Sequence, residues 1–160
     1  MRLETNPFDA PPWLQVLGVI EHTRRRAAAE DYCRVELDHI DLAVSDVARC
    51  REFCLRVLAP FGYRLVRDFG DEAAGLGTAE YAALALVRRR GTVHPAHLAF
   101  RVATRGGVDA LYRAALAAGA RNNGAPGLRT QYHPSYYAAF VHDPESNNLK
   151  FVCHEDEALG

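Results

Sequence analysis

Three residues with chemically useful side chains occupy defined positions in the strand-like patterns of this sequence: Lys150, His39 and His97. Lys150 is the only lysine in the chain, and it alternates in phase with Val152 and His154 in a run whose other face is apolar. An ammonium group on such a polar face could hold a carboxylate, a phenolate or a developing enolate. Partial burial would also suit it to act as a base or a Schiff-base amine. The alternative is a solvated lysine at a strand edge.

The two histidines open segments that resemble each other, HIDLAV at 39–44 and HLAFRV at 97–102. In each segment the alternation puts the histidine on the face opposite the larger apolar residues. Asp41 and Arg101 share the face of the histidines, where they could contact a ligand, pair with each other or pair with Lys150. The similarity predicts an internal repeat of roughly 55 to 60 residues.

Each repeat is expected to hold a strand, a helix and three further strands. Ser45 and Thr104 are the expected caps of the two helices, whose apolar stripes predict one buried face each. A turn with Asp143 and Pro144 joins the last two strands as an antiparallel hairpin. The predicted helices are 46–59 and 105–118. The predicted strands are 35–44, 62–68, one or two within 80–89, 97–102, 120–122, 136–143 and 148–154. The predicted loops are 69–77 and 122–135.

Aromatic side chains lie on or just after the second of these loops, which would cover a cavity: Tyr132, His133, Tyr136 and Tyr137. His133 is the best candidate proton carrier, because the unperturbed pKa of histidine lies near neutrality. A loop fixed by aromatic packing explains the same residues. His142 and His154 lie nearer the ends of the hairpin and rank lower as site residues.

The run from Asn123 to Leu149 contains NGAPGLR, YHP, YYAAFV, DP and NN in that order. It resembles the C-terminal hairpin of the vicinal oxygen chelate superfamily, which holds glyoxalase I, bleomycin-resistance proteins and extradiol dioxygenases, and it is most similar to small bacterial glyoxalase-like proteins. The resemblance covers roughly residues 36 to 155. It implies an α+β fold of two tandem β-α-β-β-β modules that form a curved mixed sheet around a cavity, with helices on the convex side. A homodimer is also implied.

The same resemblance implies where a metal would bind. His39 and His97 match the ligand positions on the first strand of each module, and Lys150 stands where the family carries a metal-binding Glu. The equivalent strand of the first module offers Ala83 or Ala85, neither of which can ligate. A catalytic metal usually has three protein ligands, and an ammonium group repels a cation. We therefore expect no cofactor. The alternative is a divalent ion (Zn, Ni, Mn or Fe) that uses His133 as a substitute third ligand.

The chain totals restrict the partners. A formal net charge of −1 gives no reason to expect a nucleic acid or an anionic membrane. The cysteines form no CxxC pair and predict reduced thiols in a cytoplasmic protein. They are Cys33, Cys50, Cys54 and Cys153.

The sequence predicts one folded domain with extensions at both ends. Residues 1–34 form an arm and an extra helix that is too short to span a membrane. Residues 35–155 form the domain, with one module at about 36–90 and the other at about 94–155, and residues 156–160 form a tail.

These observations predict a protein that binds a small organic molecule next to a degenerate metal site. The candidate ligand contacts are Asp41, Arg101, Tyr132 and Tyr137, beside the candidate catalytic residues Lys150, His133, His39 and His97. The protein would be either a metal-independent isomerase, lyase or cyclase, or a binder that sequesters its ligand. One alternative is a metal-dependent lyase, isomerase or dioxygenase. Another is a non-catalytic interaction module that uses the N-terminal helix.

Overall fold

The computed structural model describes residues 37–78 and 81–155. The predicted N-terminal arm and helix and the predicted tail lie outside these residues. In chain order the elements are β1 (Ile40–Val44), α1 (Val47–Leu58), a 3₁₀ turn (Ala59–Phe61), β2 (Arg64–Asp68), β3 (Ala73–Gly77), β4 (Leu84–Arg88), β5 (His97–Arg101), α2 (Arg105–Ala117), β6 (Arg121–Leu128), β7 (Tyr137–His142) and β8 (Asn148–Cys153).

The eight strands form two four-stranded sheets with the same topology, β1-β4-β3-β2 and β5-β8-β7-β6. In each sheet the strand that comes first in the chain pairs in parallel with the strand that comes last, and the other neighbouring strands pair antiparallel. Asp41 pairs with Ala85 in the first sheet, as Ala99 pairs with Lys150 in the second. This register confirms the repeat and makes Ala85, of the two alanines offered by the sequence, the counterpart of Lys150. The predicted α+β fold of two β-α-β-β-β units is confirmed.

Both helices begin and pack as their sequences dictate, with one difference in a cap. Thr104 Oγ1 accepts a hydrogen bond from the Gly107 backbone N–H at 3.1 Å, as predicted. At the start of α1 the cap is Asp46 rather than Ser45, because Asp46 Oδ1 accepts from the Arg49 N–H at 2.9 Å. The buried stripe of α1 is the predicted one: Val47, Cys50, Phe53, Cys54, Val57 and Leu58.

The helix-facing sides of both sheets contribute to one hydrophobic cluster. Phe151 is completely buried in it. Cys50 and Cys54 are buried in this cluster as free thiols. Burial raises the pKa of the Cys50 thiol to about 12 and also raises that of Cys54. A cavity of about 10 Å³ lies among these side chains, which is room for about one water and not for an organic ligand.

The turn between β7 and β8 is held by a buried polar pair. Asp143 Oδ1 accepts from the backbone N–H groups of Glu145 and Asn147 at 2.9 and 2.8 Å, and Asp143 Oδ2 accepts from Asn147 Nδ2 at 2.8 Å. Asn147 Oδ1 accepts from the Ala96 N–H at 2.8 Å, which ties the turn to the start of β5. Burial raises the pKa of Asp143, and the hydrogen bonds that it accepts oppose the shift. The turn therefore fixes the β8 register on which Lys150 depends.

Two predicted loops, 69–77 and 122–135, are strand over part of their length in the structure. Residues 73–77, AAGLG, form β3, all of it buried between β2 and β4. A Cβ at Gly75 would lie 3.0 Å from Ala82 Cβ, so close packing explains a glycine that looks like a loop residue in the sequence. Strand β6 runs on to Leu128 despite GAPG, with irregular pairing to β7 around Gly124, whose φ is 146°. Within the described residues, no helix is long and apolar enough to cross a membrane.

Candidate functional site

The candidate site lies on the face of the second sheet that points away from the helices. Lys150 is in β8, between Ala99 of β5 and Phe140 of β7. Its neighbours along the strand, Leu149 and Phe151, point to the opposite face and are buried in the core. The alternation predicted for this strand is confirmed, because the hairpin turn sets the register.

Three aromatic rings surround the ammonium group of Lys150. Its Nζ donates a hydrogen bond to Tyr136 Oη at 2.8 Å. It also lies 5.5 Å from the ring centroid of Tyr136 and 6.0 Å from those of Tyr132 and Phe140, distances at which a ring attracts a cation. No carboxylate oxygen of the described residues lies within 4 Å of Nζ. We call the three rings the aromatic cage. The cage leaves the positive charge of Lys150 without a described anionic partner.

A histidine pair adjoins the aromatic cage. His133 Nε2 and His154 Nδ1 are 2.9 Å apart, and the two rings stack with centroids 5.2 Å apart. The Tyr136 ring meets both edge-on, at 5.1 and 5.0 Å. The backbone N–H of Ser135 donates to His133 Nδ1 at 3.2 Å. Both nitrogens of His133 are therefore occupied by hydrogen bonds within the described residues, and its role as a proton carrier stays a prediction.

The two repeat-related histidines make contacts of their own. His39 precedes β1, and its Nδ1 lies 2.7 Å from Asp38 Oδ2 while its Nε2 lies 3.8 Å from Asp41 Oδ1. His97 Nδ1 lies 3.0 Å from the Asn148 carbonyl oxygen. A carbonyl can only accept, so His97 Nδ1 carries a proton and donates it to Asn148.

Arg101 pairs with neither Asp41 nor Lys150, the two partners considered from the sequence. Its Nη2 donates to Glu155 Oε1 at 2.9 Å, and both side chains are about two-thirds exposed. The charge of Arg101 is thus largely balanced at the rim of the site.

The donors present do not fit the divalent metal that the sequence resemblance implies. Among residues 37–78 and 81–155, no three His, Cys, Asp or Glu side chains group in a way that could hold a metal ion. Ala85 and Lys150 occupy the matching positions on β4 and β8, and neither is a suitable ligand for such an ion. His133, the proposed substitute ligand, is hydrogen-bonded to His154 instead.

Tyr137 differs from the expectation, because its side chain lies on the other face of β7. Its hydroxyl group donates to Asp109 Oδ1 at 2.9 Å, and the Arg105 guanidinium lies 5.5 Å from its ring centroid. It therefore packs against α2, while the preceding Tyr136 reaches Lys150. A one-residue shift reverses which face a strand residue occupies, and the sequence did not fix that phase in β7.

Sequence reasoning missed Phe140, which lies near Lys150, and ranked His154 too low, although it contacts Tyr136. His154 is in phase with Lys150 along the chain, and this alternation was the signal for its position. Phe140 pairs directly with Lys150 across the hairpin, which only the register reveals.

No protein-family model matches the chain, and no curated protein does. Solved structures do match. A glyoxalase/bleomycin resistance protein from Albidiferax ferrireducens has a TM-score of 0.62 and 18% identity, over 74% of this chain and 98% of that one. A glyoxalase/bleomycin resistance protein/dioxygenase family enzyme from Burkholderia phytofirmans has a TM-score of 0.60 and 24% identity, over 76% and 100% of the two chains. The oxidase ChaP-H2 has a TM-score of 0.57 and 21% identity, over 79% and 98%.

Identities this low establish how the chain folds and leave its activity open. The matched structures have the architecture that the sequence resemblance predicted, and the topology of the two sheets agrees with it. The chain has the fold of the glyoxalase/bleomycin resistance/dioxygenase proteins.

Proposed function

We propose that this protein binds a small organic molecule on the Lys150 face of its second sheet and does so without a metal ion. The observation that carries the proposal is the ammonium group of Lys150, hydrogen-bonded to Tyr136 and enclosed by the aromatic cage, at the position where the resemblance implies an acidic metal ligand. A carboxylate at this position would attract a metal ion, whereas the ammonium group of Lys150 attracts an anion or a polarised oxygen.

The composition of this face supports binding of an organic molecule. Binding sites combine apolar and aromatic surface with a few polar groups of fixed orientation. Tyr132 is 61% exposed, and its ring centroid lies 6.0 Å from the partly buried ammonium group of Lys150. An organic ligand could cover the Tyr132 ring and use Lys150 as its polar contact.

A thermal-shift screen of small carboxylic acids, phenols and neutral aromatic molecules tests the proposal. The full-length chain is compared with Lys150→Met, which keeps the length of the side chain and removes its charge. Arg56→Met is the matched control, because it removes a positive charge from an exposed ion pair on α1. We expect compounds that stabilise the parent and the control but not Lys150→Met. A screen in which no compound stabilises the parent, or in which Lys150→Met responds like the parent, would refute the proposal.

A second candidate is a metal-independent enzyme of the isomerase or lyase type. The observation that favours it is the direct hydrogen bond from Lys150 to Tyr136, which places two groups able to donate a proton side by side. Exchange of a carbon-bound proton of the bound compound in D₂O, followed by NMR and lost in Tyr136→Phe, would support catalysis. Binding with no proton exchange and no product would exclude this enzyme and leave only the proposal of a binding protein. The homodimer and the cytoplasmic location stay predictions.

A further inference from the structure

We propose that the ligand of this face is an aromatic carboxylate, whose two oxygens take hydrogen bonds from Lys150 and Tyr136 and whose ring stacks on Tyr132. This inference rests on the proposed function and names the chemical class of the ligand. Each half of the ligand has its own basis in the described contacts.

The anionic half follows from the hydrogen bonds that remain unused. Lys150 Nζ donates one of its three hydrogens to Tyr136 Oη, which leaves two for a ligand. Since Oη accepts there, the Tyr136 hydroxyl hydrogen is left to donate, and no acceptor for it occurs among the described residues. The two donor atoms are 2.8 Å apart, a spacing that suits the two oxygens of one carboxylate.

A second cation strengthens the preference for an anion. The Arg129 guanidinium lies 5.8 Å from the ring centroid of Phe140, the ring that Lys150 also approaches. Arg129 donates to the backbone carbonyl of Ala125 at 2.7 Å, and no described carboxylate lies within 4 Å of it. Two positive groups without a described anionic partner make this part of the face electropositive.

The aromatic half follows from Tyr132. Its ring packs against the Tyr136 ring with centroids 4.8 Å apart, yet the residue is 61% exposed. A flat ring laid on Tyr132 would cover this surface and place a carboxylate substituent toward Lys150, 6.0 Å from the Tyr132 centroid.

The loop that carries Tyr132 is already fixed in place. The Arg129 N–H donates to the Tyr136 carbonyl at 2.7 Å, and the Tyr132 N–H donates to the Arg129 carbonyl at 2.9 Å. Because Ser135 N–H donates to His133 Nδ1, neutral His133 carries its proton on Nε2 and donates it to His154 Nδ1. The histidine pair thus ties the loop to β8. A ligand that stacks on Tyr132 would not have to order this loop, which favours binding.

Calorimetric titrations of the full-length chain measure the contributions of the carboxylate and of the aromatic ring separately. Benzoate is the aromatic anion, benzamide lacks the charge, and cyclohexanecarboxylate lacks the aromatic ring. We expect saturable binding of benzoate, at least about tenfold weaker binding of benzamide because a charge-assisted hydrogen bond is lost, and several-fold weaker binding of cyclohexanecarboxylate. Inorganic phosphate should not compete at equal concentration.

Three variants assign the effects to residues. Lys150→Met should remove the preference for benzoate over benzamide, and Tyr136→Phe should reduce it. Tyr132→Leu should remove the preference for benzoate over cyclohexanecarboxylate, and Tyr132→Phe should restore it. Benzoate that fails to bind, or that binds no better than benzamide, overturns the inference, and so does an unchanged ring preference in Tyr132→Leu. If the screen still yields a neutral compound that requires Lys150, the proposed function stands and only the ligand class is wrong.

Discussion

Position 150 determines the chemistry that the second sheet can offer. The resemblance implies a carboxylate there, in a metal site shared with His97, whereas Lys150, which pairs with Ala99, brings a positive charge and three hydrogen-bond donors. The aromatic cage stabilises that charge while leaving it accessible to an oxygen acceptor. Lys150 and the alternation of β8 could be predicted from the sequence because strand side chains have a period of two. The choice of Tyr136 over Tyr137 could not, because it depends on the phase of β7.

The substitution Lys150→Glu tests whether the degenerate site is one residue away from binding a metal. It would add a carboxylate to the two repeat-related histidines, and two histidines with one carboxylate form a common metal arrangement. We expect the variant to bind Zn²⁺ or Mn²⁺ more tightly than the parent, and the ion to raise its melting temperature by mass action.

His39→Ala and His97→Ala in the Lys150→Glu background are the controls, and each should abolish the gain in metal affinity. Calorimetric titration with the ion measures it. Equal, weak binding by the parent and Lys150→Glu would show that positions 39, 97 and 150 do not meet around one ion.

At the scale of elements, caps and turns set the registers that position the site. The alternation of β1, β5 and β8 and the stripes of both helices were predictable from the sequence because large apolar side chains mark the buried face. Strand β3 was not predictable, because its Ala and Gly residues have a low intrinsic preference for strands. They form a strand because they are buried between β2 and β4. The cap of α1 was misassigned by one residue, since Ser45 and Asp46 are both good caps.

Asp46→Ala should lower the free energy of unfolding by about 1 kcal/mol, because the Arg49 N–H loses its acceptor at the start of α1. Asp46→Asn keeps an acceptor oxygen and should cost much less. Urea denaturation followed by circular dichroism gives both values. If Asp46→Ala and Asp46→Asn have equal stability, the carboxylate does not cap the helix.

At the scale of the whole molecule, the two repeats share a core, and a polar contact between described residues also joins them. The Ser45 hydroxyl donates to Glu145 Oε1 at 2.7 Å, and the Ser45 N–H donates to Glu145 Oε2 at 3.3 Å. This contact joins the end of β1 to the turn between β7 and β8. The repeat was visible in the sequence, but a contact between residues one hundred positions apart was not, because nothing in a local pattern specifies the partner.

A double-mutant cycle with Ser45→Ala and Glu145→Ala measures this link. We expect a coupling energy of roughly 0.5–1 kcal/mol, since the contact is exposed and water competes for both groups. Ser45→Ala combined with Glu52→Ala is the control, because Glu52 pairs with Arg56 within α1. Additive losses in the Ser45 and Glu145 pair would show that the Ser45 hydroxyl group does not help to join the two repeats.

The most direct test of the account is ligand affinity with and without a chelator. The tightest-binding compound from the screen is titrated by calorimetry into the full-length chain before and after treatment with EDTA, and into Lys150→Met. Because Lys150 supplies the charge in place of a metal ion, we predict the same dissociation constant before and after EDTA and a loss of about tenfold or more in Lys150→Met. Binding that EDTA abolishes and a divalent ion restores, or that Lys150→Met leaves unchanged, would contradict the account.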